Sequence, residues 1–298
     1  MKKIVKALLD RVVRTKMGYW VLEKTLVRAG QFIEARRQAC LGLDDWWYDE
    51  FVYAQLPRLF PDLRVQNGPF QGMQYPASES VCSAVFPKLL GSYEREIQPA
   101  VEKFCNGHYQ TIVDIGCAEG YYAVGMALRN PHANVHAFDI DQRARRLCQA
   151  MAALNQVGNR VQVLATCDSI QLRELSKTGR MLVICDCEGF ELELFDDETV
   201  DAMRGHDLLI ELHDGVDPAI SGTLSQRYQA SHHLQLVSSV DDIRKGQTYD
   251  FDQLQDYSLR ERIRLLAERR SYVMQWLICF SRVHAGETVP VLQNSGQN

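Results

Sequence analysis

The chain lacks the features that would place it in several common classes of protein. None of its nine cysteines forms a C-x-x-C pair, so neither a zinc ribbon nor a redox motif is indicated. Its longest uncharged apolar segment, residues 272–280, is far shorter than the ~20 residues that a membrane helix needs. Asp10 and Arg11 interrupt the N-terminal apolar run, which argues against a secretory signal. We therefore expect a cytoplasmic protein with reduced thiols.

The chain has no net positive charge outside its N-terminus. The formal net charge of -5 argues against a general nucleic-acid binder. Residues 1–40 nevertheless carry ten Lys or Arg against three acids, so a basic arm precedes an acidic body. A helix at the start of this arm would have an apolar stripe and a cationic face. Two interpretations of residues 1–30 stay open: contact with the anionic inner face of a membrane, or packing of the stripe on the main domain.

Strand-like and helix-like segments alternate after residue 98, which predicts an α/β fold with a parallel sheet and helices on its faces. Strands are expected at 111–115, 134–139, 160–164, 181–186, 207–212, 233–238 and 272–280. Helices are expected near 51–60, 96–104, 120–129, 141–155, 169–176, 196–203 and 253–270. The predicted organisation is a helical extension (1–62), a hairpin and cap segment (63–98), the main domain (99–284) and a flexible tail (285–298). Nothing in the sequence specifies an oligomeric state.

The most informative segment is T-I-V-D-I-G-C-A-E-G, residues 111–120, where a buried strand runs into a turn of small residues. Asp114 ends the strand at the place where open α/β sheets bind ligands. Gly116 and Gly120 permit a tight turn with a ligand against the backbone. A dinucleotide site would need a third glycine, and Glu119 is a poor neighbour for a diphosphate, so an NAD-linked oxidoreductase is the less favoured alternative. The turn predicts a site for a phosphate-free, adenosine-bearing cofactor.

Three further residues extend this predicted site. Asp139 ends the second strand about twenty residues after the turn, where a carboxylate accepts both ribose hydroxyls. Ile140 would either form an apolar wall for adenine or cover the next helix. Asp168 would either bond the adenine amino group or cap a helix. The predicted cofactor-binding residues are Asp114, Gly116, Cys117, Ala118, Glu119, Gly120, Asp139, Ile140, Asp168 and Asp186.

Acidic residues follow the fourth strand in the box C-D-C-E-G-F-E, residues 185–191. Carboxylates that crowd together in a cleft raise one another's pKa, and such clusters are often functional. We interpret Asp186 and Glu188 in this way. Glu191 and Glu193 are better explained as the exposed first turn of a helix, stabilised by its dipole.

The fifth strand ends in a second polar group. Glu211 and His213 point to one face if the strand stays regular, and Asp214 follows them. Because neighbouring parallel strands end at the same edge of a sheet, we expect these side chains to converge with those after the fourth strand. The pKa of a histidine suits a general base at neutral pH, and we assign that role to His213.

The motifs V-D-I-G-C-A-E-G-Y-Y, F-D-I-D and C-D-C-E-G-F-E together resemble the FkbM-like branch of class I S-adenosylmethionine (SAM) methyltransferases, over residues 86–284. The resemblance implies a seven-stranded Rossmann-like sheet and O-methylation of a small-molecule or glycan acceptor, commonly a sugar hydroxyl of a polysaccharide. By match, Asp114, Gly116 and Gly120 take the methionine end of SAM and Asp139 takes its ribose. By the same match, Asp186 and Glu188 of the acidic box lie at the reacting region.

Methyl transfer needs an aligned acceptor and a way to remove its proton. His213 could act as the base, or magnesium held by Asp186, Glu211 and Asp214 could lower the pKa of the acceptor, although no ligand spacing specifies a metal. The Asn- or Asp-Pro-Pro-Tyr box of many methyltransferases that act on planar nitrogen is absent. A catalytically silent SAM-binding partner subunit is a further alternative.

The acceptor pocket has two candidate sources of side chains. Lys88, Tyr93 and Glu94 precede the first strand and would contact either the acceptor or the neighbouring apolar residues. Arginines of the segment 259–270 would either bind an acidic glycan or lie on a solvated helix face, and the second is favoured.

Overall fold

A seven-stranded sheet organises the part of the chain that the computed structural model describes, residues 49–284. Its strands are β1 (Thr111–Ile115), β2 (Asn134–Phe138), β3 (Val161–Leu164), β4 (Met181–Cys185), β5 (Asp207–Leu212), β6 (His232–Ser238) and β7 (Gln275–Ser281). They lie in the order β3-β2-β1-β4-β5-β7-β6. The first five run parallel, and β7 is antiparallel to both of its neighbours. The predicted Rossmann-like fold with a reversed last strand is therefore confirmed.

Eleven α-helices of the described part surround this sheet. They are α1 (Glu50–Leu59), α2 (Val85–Leu90), α3 (Gln98–Cys105), α4 (Tyr121–Arg129), α5 (Gln142–Leu154), α6 (Ser169–Ser176), α7 (Glu191–Leu194), α8 (Asp197–Ala202), α9 (Ile220–Tyr228), α10 (Asp242–Thr248) and α11 (Leu259–Leu265). The sequence analysis missed α2, α9 and α10, whereas α7 begins at Glu191, where the first turn of a helix was expected. The missed α9 is rich in Ser, Gly and Thr, which have weak helix propensity, and its burial decides its conformation. None of the described helices is long and apolar enough to cross a bilayer.

The two faces of the sheet bury separate apolar cores. Along β4, Leu182 and Ile184 belong to one core, whereas Val183 and Cys185 belong to the other. This alternation follows from the two-residue period of a strand, and burial on both faces explains the continuous apolar run in the sequence. With both faces covered, the ends of the strands are left as the place for a site.

The segment before β1 differs from its prediction in two respects. Pro57 lies inside α1, whereas we expected it to close this helical stretch. Because proline has no amide hydrogen, α1 lacks the bond that position 57 would otherwise donate to the carbonyl of Tyr53, and the helix ends two residues later at Leu59. The expected hairpin is a loop closed by a single antiparallel bridge between Arg64 and Gln74. The predicted basic arm and C-terminal tail lie outside the described residues.

Candidate active site

A cavity of about 890 Å³ opens at the carboxyl ends of the parallel strands. Its wall combines the turn after β1 with the residues that follow β2, β3 and β4. Open α/β sheets bind their ligands at this position, and the volume suits a nucleoside cofactor together with part of an acceptor. The predicted site residues that line it are Lys88, Tyr93, Glu94, Asp114, Gly116, Cys117, Ala118, Asp139, Ile140, Asp168, Asp186, Glu188 and Glu211.

The turn after β1 requires a glycine at its first position. Gly116 has a φ of +83°, and a Cβ atom there would lie 1.7 Å from the carbonyl oxygen of Asp186. The amides of Gly116 and Cys117 both donate to the carbonyl of Phe138, at 2.8 and 2.9 Å. The turn after β1 is thus held close to the ends of both β2 and β4. Because Gly116 has no side chain, its backbone is accessible to a ligand.

Asp139 holds this turn as well as lining the cavity. Its Oδ2 accepts a hydrogen bond from the amide of Ala118 at 2.9 Å, and its Oδ1 accepts one from the amide of Asp141 at 2.8 Å. Each carboxylate oxygen keeps a second lone pair for a ligand hydroxyl. The ribose role stays a prediction, and the structure adds a positioning role that the sequence did not reveal.

Asp114 presents a buried carboxylate to the cavity. Its side chain is almost fully buried, and its Oδ2 has no hydrogen-bond partner among residues 49–284. Burial raises the pKa of Asp114 to about 7, although a backbone hydrogen bond from Ala123 opposes the shift. A cationic ligand group placed here would satisfy the orphan oxygen and keep the carboxylate ionised.

The adenine-side predictions are partly resolved by exposure. Ile140 lines the cavity and is 85% exposed, so it does not cover a helix. Asp168 caps α6 by accepting from the amide of Gln171 at 2.8 Å, and it also lines the cavity. Capping uses one carboxylate oxygen of Asp168, so a contact with a bound base is compatible with it.

Two residues of the predicted cofactor set do not reach the cavity wall. Gly120 is the N-cap of α4 with a φ of +99°, and a side chain there would meet the sulfur of Cys148. Glu119 does not line the cavity and forms a buried ion pair with Lys88, 2.5 Å from its Nζ. The expectation that Glu119 is a poor neighbour for a diphosphate stays a prediction, and the ion pair shows that Lys88 offsets the charge of Glu119. The sequence analysis did not anticipate these partners of Glu119. Two further donors to its carboxylate, Ser80 and Val81, lie in the segment before α2.

Asp186, Glu188, Glu191 and His213 form a group that we call the acid–histidine cluster. The Nε2 atom of His213 lies 3.4 Å from Oδ1 of Asp186 and 3.6 Å from Oε2 of Glu188. Its Nδ1 atom lies 2.5 Å from Oε1 of Glu191. The expected convergence of the ends of β4 and β5 is thus observed. His213 itself does not line the cavity, however, and Asp186 and Glu188 stand between it and the cavity.

The interpretation of Glu191 as an exposed helix residue is wrong. Its side chain is completely buried against His213, and its Oε2 has no hydrogen-bond partner in the described part of the chain. Glu193, on the same short helix, is exposed as predicted. The signal available in the sequence was the position of Glu191 two residues after Gly189, and the structure gives this glycine a φ of +104°.

The cluster carries more negative than positive charge. Burial raises the pKa of Asp186 to about 7, and the neighbouring Glu188 contributes to the shift. Burial alone would lower the pKa of His213, but the bond to Glu191 and the surrounding carboxylates outweigh it and raise that pKa. The imidazole is thereby held in a fixed orientation and favoured as a cation.

Glu211 and Glu94 belong to a second group, built around Arg270. The guanidinium of Arg270 contacts both carboxylates and that of Glu268, and it stacks 4.7 Å from the ring of Trp276. Because its guanidinium is paired with three carboxylates and only 15% of the side chain is exposed, Arg270 is neither solvated nor available to a ligand. It lies beyond α11, which ends at Leu265. Burial, more than the charge of Asp186, raises the pKa of Glu211.

The magnesium ligands expected from the sequence are not brought together as a set. Glu211 is committed to Arg270, and Asp214 lies off the cavity wall, where its Oδ1 accepts from the amide of Ser221 at 2.9 Å. Tyr93 and Glu94 do line the cavity, but Glu94 is already held by Arg270 and Tyr122.

Comparison with known proteins identifies the class. Residues 99–176, which contain β1 to α6, match the family model described as "Methyltransferase small domain". No curated protein matches the chain. Together with the strand order and the glycine turn, the matched model identifies the protein as a SAM-dependent methyltransferase.

Solved structures with a similar fold are distant. A precorrin-6y C5,15-methyltransferase from Geobacter metallireducens is 10% identical, with a TM-score of 0.41, over 63% of this chain and 89% of that one. The MccD protein is 13% identical, with a TM-score of 0.38, over 63% and 97%. The B. subtilis M1A22 tRNA methyltransferase TrmK is 12% identical, with a TM-score of 0.37, over 63% and 65%. Likenesses this remote do not bear on the acceptor.

Proposed function

We propose that the protein transfers the methyl group of SAM to a hydroxyl group, on a sugar or glycoconjugate. The observation that carries this proposal is the composition of the cavity, whose wall combines the glycine turn and Asp139 with the carboxylates of Asp186 and Glu188. The resemblance of residues 86–284 to FkbM-like methyltransferases supports the choice of acceptor.

The residues of the cavity fit SAM. In this proposal Asp139 accepts the ribose hydroxyls, Ile140 contacts the adenine, and the orphan oxygen of Asp114 accepts from the methionine ammonium group; all three residues line the cavity. Gly116 leaves the backbone free beside them. When bound, SAM supplies an activated methyl group, so the protein has only to align the acceptor and remove its proton.

The acid–histidine cluster is the part of the wall suited to the acceptor. Asp186 and Glu188 follow β4, and the sequence has no Asn- or Asp-Pro-Pro-Tyr box of the kind found in many methyltransferases that act on planar nitrogen. Carboxylates accept hydrogen bonds from several hydroxyls at once, which favours a polyhydroxylated acceptor over a planar base. His213 and Glu191 hold these carboxylates from behind.

Methyl labelling of cell-envelope extracts tests the proposal. Full-length protein, extract and SAM labelled in its methyl group should yield labelled carbohydrate, and hydrolysis should release an O-methyl sugar. Asp186→Ala should abolish transfer, whereas Glu193→Ala, an exposed acid of the same segment, should keep it. Label recovered only in nucleic acid or protein would contradict the sugar assignment. SAM binding without any transfer would instead favour a silent binding subunit.

A further inference from the structure

We infer that Asp186, Glu188 and His213 form a binding site for a divalent transition-metal ion at the edge of the cavity. One ligand atom from each side chain lies within 4.8 Å of the other two. The three come from two neighbouring strand ends, since the carboxylates follow β4 and the histidine follows β5. An ion at this place would go beyond the proposed methyl transfer, and the site can be tested without any acceptor.

The orientation of His213 points to a ligand. Only 5% of its side chain is exposed, and its Nε2 lies 3.4 Å from Asp186 and 3.6 Å from Glu188. Both distances exceed those of ordinary N–H···O hydrogen bonds, and they leave room for an ion to draw the three atoms together. Oδ1 of Asp186 is likewise buried without a hydrogen-bond partner in residues 49–284.

The other ring nitrogen of His213 has the partner that metal-bound histidines usually have. Nδ1 lies 2.5 Å from the buried carboxylate of Glu191, which fixes the ring and leaves Nε2 as the atom presented to the cluster. A carboxylate behind a histidine raises the basicity of the ligand and orients it toward the metal. Glu193 lies on the same short helix but is exposed, so of these two glutamates only Glu191 is buried against His213.

The donor set indicates which ions would bind. One imidazole nitrogen with two carboxylates suits Mn²⁺, Fe²⁺, Co²⁺ or Zn²⁺, whereas Mg²⁺ and Ca²⁺ prefer oxygen ligands alone. Three protein ligands leave coordination positions open, and Asp186 and Glu188 both line the cavity. The open positions would therefore be accessible to hydroxyl oxygens of an acceptor. In this arrangement His213 is a ligand, and the base role expected from the sequence does not apply.

Titration of Mn²⁺ into full-length protein stripped with a chelator tests the inference, with calorimetry and electron paramagnetic resonance as readouts. We expect one Mn²⁺ per chain at this site. Glu188→Gln should weaken binding at least about tenfold, and because Glu188 is 75% exposed this change should not disturb folding. Glu191→Gln, which touches no ion, should weaken it about 10- to 100-fold through the orientation of His213.

Glu193→Gln is the matched control, and it should bind Mn²⁺ like the wild type. Equal Mn²⁺ affinity in the wild type, Glu188→Gln and Glu191→Gln would overturn the inference, as would binding of Mg²⁺ as tight as that of Mn²⁺. Because SAM and acceptor are absent from the titration, either result leaves the proposed methyl transfer to be judged by its own experiment.

Discussion

At the scale of single residues, the structure separates side chains that face the ligand from those that hold the site together. Asp114, Asp139 and Asp186 were predicted from their positions after strands, and each lies at the cavity wall. Strand ends are readable from sequence because buried runs are apolar and stop abruptly. The partners of buried acids could not be predicted from the sequence. Glu119 pairs with Lys88 and Glu191 with His213, and in both pairs the partner lies on a segment distant in sequence.

The buried carboxylate of Asp114 predicts that SAM binding depends on pH. Its pKa of about 7 means that the carboxyl group is largely protonated below neutrality and ionised above it. A ligand ammonium group favours the ionised form, so the affinity for SAM should fall as the pH drops below 7, by up to about tenfold per pH unit. Calorimetric titration with SAM at pH 6 and pH 8 measures this difference.

Asp114→Asn serves as the reference for that experiment. It should bind SAM more weakly at pH 8 and should lose the part of the pH dependence that Asp114 causes. A wild-type protein and an Asn variant with the same dependence on pH would show that Asp114 does not pair with the cofactor.

At the scale of secondary-structure elements, the site depends on the contact between the turn after β1 and the strand end after β4. The strands and the order of alternation could be predicted, because hydrophobic runs and turn residues are local signals. Helix α9 and the course of the chain after α11 could not, because burial against the sheet determines them. Arg270 is the clearest case, since a run of arginines in sequence gives no sign that one of them is enclosed by three carboxylates.

Gly116→Ala should break the contact between the two strand ends. The added methyl group would lie 1.7 Å from the carbonyl oxygen of Asp186, so either β4 or the turn must move. We expect SAM binding to weaken by more than about tenfold, together with a loss of stability toward urea. Gly222→Ala is the control, because its Cβ would meet nothing within 4 Å and alanine is the better helix former. Unchanged SAM affinity in Gly116→Ala would contradict the role of this turn.

Arg270→Met should destabilise the protein. Removal of the guanidinium leaves Glu94, Glu211 and Glu268 buried with less compensation, and breaking such a buried group costs about 3 to 5 kcal/mol. Unfolding in urea at neutral pH measures the loss. Arg260→Met, on the exposed side of α11, should change the free energy of unfolding by no more than about 0.5 kcal/mol. Equal effects of the two substitutions would mean that the group around Arg270 is not structural.

At the scale of the whole molecule, one cavity joins two chemically different walls. The turn after β1 and Asp139 line the part where we propose that the cofactor binds, and Asp186 and Glu188 line the part proposed for the acceptor. The fold class and the cofactor side could be predicted because they follow a pattern shared across methyltransferases. The acceptor side depends on buried charges brought together from separate strands and loops, and a single sequence contains no direct signal of such pairings.

The most direct test of this account is calorimetric titration of the full-length protein with SAM and, separately, with NAD. We predict that SAM binds with one site per chain and that NAD does not bind. Asp139→Ala should lower the SAM affinity by about 1.5 to 3 kcal/mol, because a hydrogen bond to a charged group is lost. Binding of NAD in place of SAM, or SAM binding that Asp139→Ala leaves unchanged, would contradict the cofactor site described above.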